Sequence, residues 1–133
     1  MKKIVIASTD SALNTALNFL FQDRYSTMSI ELNSRFISIM QDENIELLII
    51  DSNIIDEEGL KTVGLLKKIN SSLPVIALYD MSAPRHFEKE LYNIADVMFR
   101  KPFSNKQLID TVQNFIESDA RTKLNEALPG AQQ

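Results

Sequence analysis

The stretch Leu47-Leu48-Ile49-Ile50-Asp51 decides how this chain folds. Four apolar residues follow one another with no polar alternation, and a carboxylate closes the run. A run this short reads as a strand, and its uniform apolarity means cover on both faces. Strands covered on both faces belong to parallel sheets flanked by helices. Ile4-Val5-Ile6-Ala7 has the same character, and Val75 to Leu78 behind Pro74 and Val97-Met98-Phe99 read as the fourth and fifth strands. Met28, Ile30 and Leu32 instead alternate with Ser29 and Glu31, which predicts a strand with one exposed face at a sheet edge.

Between these runs, apolar residues recur at helical spacing. Asp10 or Ser11 caps a first stripe through Leu13, Leu17 and Phe21, and Asn33 caps a second through Phe36, Ile37 and Met40. Leu60, Val63, Leu66 and Ile69 make a third. A fourth starts at Pro84, which suits a first helical turn, and runs through Phe87, Leu91 and Ile94. Ser104 and Gln107 stand at capping-box spacing before Leu108, Val112, Phe115 and Ile116. Strands and helices in strict alternation predict an α/β fold with helices on both faces of the sheet. Right-handed crossovers leave few topologies, and the expected one is a doubly wound five-stranded parallel sheet of order 2-1-3-4-5. The domain is expected over residues 1–118, with 119–133 as a helical extension or linker. In that tail Ala120, Leu124 and Leu128 keep helical spacing until Pro129-Gly130.

Composition removes several functions. The 133 residues suit one globular domain with a real core. A net charge of -4 disfavours the phosphate contacts on which nucleic-acid binding depends, so no nucleic-acid partner is expected. With no cysteine and His86 as the one histidine, thiolate and multi-histidine metal sites are excluded. His86 itself reads as a solvated helix residue. No apolar run reaches membrane-spanning length, so no membrane partner is expected and a cytoplasmic location is the default.

In doubly wound sheets, chemistry gathers at the carboxyl ends of the strands, beside the point where strand order reverses. Those ends carry Ser8-Thr9-Asp10, Asp51, Tyr79-Asp80 and Lys101. Two carboxylates and a lysine at one edge have the character of a site for a hard cation and a phosphoryl group. Asp10 also reads as a helix N-cap, and the two roles are compatible. The run Asp56-Glu57-Glu58 reads first as helix N-terminal charge.

On these residues the chain resembles the receiver domain of two-component response regulators, across roughly Lys2 to Ile116. The resemblance implies the flavodoxin-like receiver fold and a signalling role that is not enzymatic. It places Asp51 at the phosphoacceptor position and Lys101, in Lys101-Pro102-Phe103, at the phosphate-contacting position. Gly59-Leu60 falls at the expected distance in the loop that follows. The departures are equally specific. The family's acidic pair, which holds Mg2+, is matched by Ser8 and Thr9, with only the adjacent Asp10 acidic. Hydroxyls in place of carboxylates imply that Mg2+ binding, through Asp10 and Asp51, is weak or absent. The switch hydroxyl is replaced by Tyr79, the switch aromatic by Met98, and the usual loop proline by Ile55. Tyr79 either covers the pocket or points outward as a partner contact.

The expected function is therefore an atypical receiver module of a phosphorelay, acting on protein partners, a histidine kinase or a downstream signalling protein, through an impaired switch. Two other readings compete with it. One is a phosphorylation-independent scaffold that forms a homodimer through its last helix and tail. The other is a flavodoxin-like small-ligand protein, which three glycines and the lack of a Gly-rich phosphate loop disfavour.

Overall fold

The apolar run around Leu48 becomes β3 (Ile45–Asp51), the middle strand of a five-stranded parallel sheet. The computed structural model describes residues 1–42, 44–52, 56–80 and 85–127. In chain order, the other elements are β1 (Lys2–Ala7), α1 (Ser11–Phe21), β2 (Tyr25–Ser29), α2 (Phe36–Asp42), α3 (Glu57–Ile69), β4 (Val75–Tyr79), α4 (Arg85–Ile94), β5 (Val97–Arg100) and α5 (Asn105–Ala127). The strands lie in the order β2-β1-β3-β4-β5, which is the topology expected from the alternation.

Pleating divides the central strands between two cores. Leu47 and Ile49 of β3 join Ile4 and Ile6 of β1 under α1 and α5, against Leu17, Phe21, Leu108, Val112 and Ile116. Leu48 and Ile50 turn to the opposite face with Val5 and Ala7, under Phe36, Met40, Val63, Leu66 and Leu91. Leu47 to Ile50 are fully buried, and each such side chain contributes about 1.5–3 kcal/mol.

The edge strand differs from its sequence reading. Alternation placed it around Met28 to Leu32, whereas β2 ends at Ser29. Register explains the shift. Lys2 pairs with Tyr25 and Ile6 with Ser29, so β1 ends before Ile30 to Leu32 can pair fully. The Ile30 amide still donates to the Ile6 carbonyl, and Ile30 then packs into the α2/α3 core. The alternation marks a chain leaving the sheet.

Tyr25, at the start of β2, sets its ring edge-on to Phe21 at 6.0 Å. Burial, reinforced by the negative charge of Glu117 and opposed by Arg24, pushes its phenol above the ordinary 10.0. The folded state thus favours the neutral phenol. This stabilisation is fully present below the unfolded value and is lost as pH rises through the folded one. The expected result is a steeper loss of stability above about pH 10 in the native chain than in Tyr25→Phe, read from urea midpoints.

The starts of α1 and α5 follow the cap reading. The Asp10 carboxylate accepts from the amides of Ala12 and Leu13, and the Ser104 hydroxyl from that of Gln107. The Asn33 side chain accepts from Arg35 in the turn that leads to α2. Asp56 accepts from the Gly59 amide at 2.7 Å, with Glu57 and Glu58 in the first turn of α3, where the helix dipole favours them. Ile55, Pro84, Leu128 and Pro129-Gly130 lie outside the described residues, as do the side chains of His86, Phe87, Ala120 and Leu124.

Candidate functional site

The reversal of strand order between β1 and β3 puts two strand ends side by side. Ile6 pairs with Ile49 and Ala7 with Ile50, so the next step along the register sets Ser8 beside Asp51. Ser8 continues the Ile4, Ile6 face of β1 and Asp51 the Leu47, Ile49 face of β3. Their side chains meet: the Ser8 hydroxyl donates to Asp51 Oδ2 at 3.2 Å. The second carboxylate oxygen is held by Lys101, whose ammonium donates to Asp51 Oδ1 at 2.8 Å. Lys101 reaches this point because its own amide donates to the Tyr79 carbonyl at 2.6 Å, extending the β4–β5 ladder past Arg100.

Asp51 is 2% exposed and the Lys101 side chain 20%. Removing a carboxylate from water costs several kcal/mol, which is offset only by an opposite charge in good geometry and by hydrogen bonds to the remaining lone pairs. Both conditions are met, by Lys101 on one oxygen and Ser8 on the other. Ser8 is itself well fixed. Its hydroxyl accepts from the Asp10 amide at 3.1 Å, and its carbonyl accepts from the Asn14 side chain at 3.0 Å.

The other expected site residues separate from this centre. Thr9 is exposed beside Ser8. Asp10 is also exposed, and its Oδ1 accepts the two amides that cap α1. Tyr79 and Met98 share a face. Ala77 and Tyr79 have the same parity along β4, and Ala77 pairs with Met98. Both line a depression with Tyr92, Ala95, Asp96 and Val97, on the α4 side of the sheet. Asp51 lies on the α1/α5 side, with Leu47 and Ile49.

The donors around Asp51 suit Mg2+ poorly. Mg2+ takes oxygen ligands in near-octahedral array, chiefly carboxylates and water. Here one Asp51 oxygen receives an ammonium and the other a hydroxyl proton, and Oδ1 of Asp10 is committed to the cap of α1. Among the described residues no group of three His, Cys, Asp or Glu stands together that would hold a metal ion. The donor role of Ser8 and the support from Asn14 escaped sequence reading. Only the β1–β3 register reveals the first, and Asn14 looks like any polar position on an amphipathic helix.

A five-stranded parallel sheet of this order, with an aspartate at the end of β3 bonded to a lysine after β5, defines a class of signalling domain. The response regulator receiver domain model matches residues 4–113, and the chain belongs to that family. Solved structures agree on the fold. A receiver domain protein from Clostridium thermocellum is 19% identical, with a TM-score of 0.76 over 92% of this chain and 99% of that one. A Francisella response regulator receiver domain is 21% identical, with a TM-score of 0.71 over 90% and 99%. Chemotaxis protein CheY4 of Vibrio cholerae is 18% identical, with a TM-score of 0.70 over 86% and 98%. No curated protein matches the sequence. No helix among the described residues is long and apolar enough to cross a membrane.

Proposed function

We propose that this receiver works in the cytoplasm as a protein-interaction module whose phosphoacceptor pocket is closed on itself. The observation that carries this reading is the pairing of both Asp51 oxygens, by Ser8 at 3.2 Å and Lys101 at 2.8 Å. In this proposal Ser8 replaces the metal-binding carboxylate of the family, and its hydroxyl–carboxylate bond takes the place of a carboxylate–metal–carboxylate bridge. Lys101 then balances the charge of Asp51 in place of a metal ion.

Tyr79 and Met98, at the switch positions, face α4 rather than Asp51. A phosphoryl group on Asp51 would find no short Ser or Thr hydroxyl at the end of β4, only the phenol of Tyr79 on the α4 face. Without differential contacts in two states, modification shifts no equilibrium. Partners, whether a histidine kinase or a downstream protein, then read a surface that does not depend on phosphorylation.

The test is incubation with a small-molecule phosphodonor, and separately with beryllofluoride, in the presence of Mg2+. The expected result is no stoichiometric mass gain and no change in amide spectra along β4 and β5. Full modification at Asp51, with shifts reaching Tyr79 and Met98, would contradict the closed-pocket reading.

A further inference from the structure

At the opposite end of the sheet from Asp51, polar groups of four residues form a knot that has no part in the pocket. The Lys67 ammonium, near the end of α3, donates to the Leu73 carbonyl at 2.6 Å and to Asp96 Oδ2 at 2.7 Å. The same Asp96 oxygen accepts from the Val75 amide at 2.7 Å, while the Asp96 amide donates to the Val75 carbonyl at 2.7 Å. Asp96 occupies the junction between α4 and β5, and Val75 is the first residue of β4. One ion pair therefore ties the end of α3, the start of β4 and the α4–β5 junction together.

The knot matters most for β5, whose residues are at most half-buried. Among the described side chains of α4, Leu91 is buried and Ile94 half-buried, whereas Lys89, Glu90, Tyr92 and Asn93 are exposed. Contact with α3 passes close to Gly64, where a β-carbon would lie 3.8 Å from Ile94 Cδ1. The edge strand β5 has no fully buried residue. It is pinned at both ends by ion pairs, Asp96 with Lys67 just before Val97 and Lys101 with Asp51 just after Arg100. The side chains of Lys67 and Asp96 are 23% and 37% exposed, half-sheltered but within reach of salt. By contrast, the Lys61–Glu57 and Lys106–Asp110 pairs are open surface contacts that contribute little.

We propose that the Lys67–Asp96 pair is a latch controlling local opening of α4 and β5 as one unit, separately from the rest of the sheet. Opening this unit alters the surface formed by Tyr79, Tyr92 and Met98, so the latch sets how much of that face a partner meets. The device stands whether or not Asp51 is ever phosphorylated. Local units that open below the global unfolding energy are expected where apolar burial is sparse.

Segment-resolved amide hydrogen exchange on the full chain tests it. In Lys67→Met, amides from Leu91 to Phe99 are expected to lose about tenfold or more in protection. Amides from Ile4 to Ala7 and from Leu47 to Ile50 should change by less than about twofold. Equal loss throughout, or none in α4 and β5, overturns the latch. The native chain supplies a second measurement that needs no variant. Raising salt from about 0.05 M to about 1 M should accelerate exchange in α4 and β5 severalfold and leave β1 and β3 unchanged. A uniform response, or none in α4 and β5, would count equally against it.

Discussion

Replacing Lys101 with methionine is expected to cost about 3–5 kcal/mol of stability, the largest loss from any single change at the pocket. Methionine keeps most of the aliphatic stem and removes the ammonium. Asp51, 2% exposed, then loses the ammonium on Oδ1 while it stays shielded from water. The Ser8 hydroxyl donates one hydrogen bond to Oδ2 and cannot stand in for a full positive charge at Oδ1. The loss therefore measures a buried carboxylate deprived of its ammonium rather than the intrinsic worth of the pair. Neutralising the partner separates the two. Asp51→Asn in the Lys101→Met background should recover a large part of the deficit, giving a coupling energy of about 2 kcal/mol or more in a double-mutant cycle. Urea unfolding of the four proteins reads it directly. If Lys101→Met costs less than about 1 kcal/mol, the pair is screened like a surface bridge, and the closed pocket loses its main support.

The second large effect is a gain. Ser8→Asp with Thr9→Asp rebuilds an acidic pair beside Asp51. Without a divalent cation, the new carboxylates repel Asp51, and the Ser8 hydrogen bond is lost, so the double variant should be less stable than the native chain by about 1–3 kcal/mol. Adding Mg2+ should reverse this. Ligand binding to the folded state alone stabilises by RT ln(1 + [L]/Kd), about 1.4 kcal/mol when the cation is at roughly ten times its Kd. The native chain, with an ammonium and a hydroxyl on Asp51, is expected to show no such dependence. Thermal melts with and without about 10 mM Mg2+ distinguish the cases. A native chain stabilised by Mg2+ as strongly as the double variant would show that Asp51 still holds a metal, and the proposal of a self-neutralised pocket would fall. A double variant that ignores Mg2+ would show that Ser8 and Thr9 are not what keeps the cation out.

Part of this protein is legible in its sequence. Apolar runs of strand length, alternating with helical stripes, sufficed for a parallel α/β sheet, because burial on two faces leaves its mark residue by residue. Strand ends follow from the same pattern, so Asp51 and Lys101 could be assigned to one edge without knowing how far apart they stand. Helix caps at Asp10 and Ser104 were equally readable, since a cap is a contact between residues two or three apart.

What only the tertiary structure decided are contacts that register and pleat create between distant residues. Ser8 and Asp51 are 43 positions apart, and Lys67 and Asp96 are 29 apart. No local pattern distinguishes a serine that donates into a buried carboxylate from one that ends a strand. The orientation of Tyr79 toward Met98 and α4, away from Asp51, likewise follows from strand parity and the β4–β5 pairing. The limit of β2 at Ser29 was set by the partner strand running out, not by its own residues. Sequence alone thus determined the frame and the charges at its edge. Tertiary structure decided which of those charges neutralise one another, because that depends on a few ångströms across neighbouring strands.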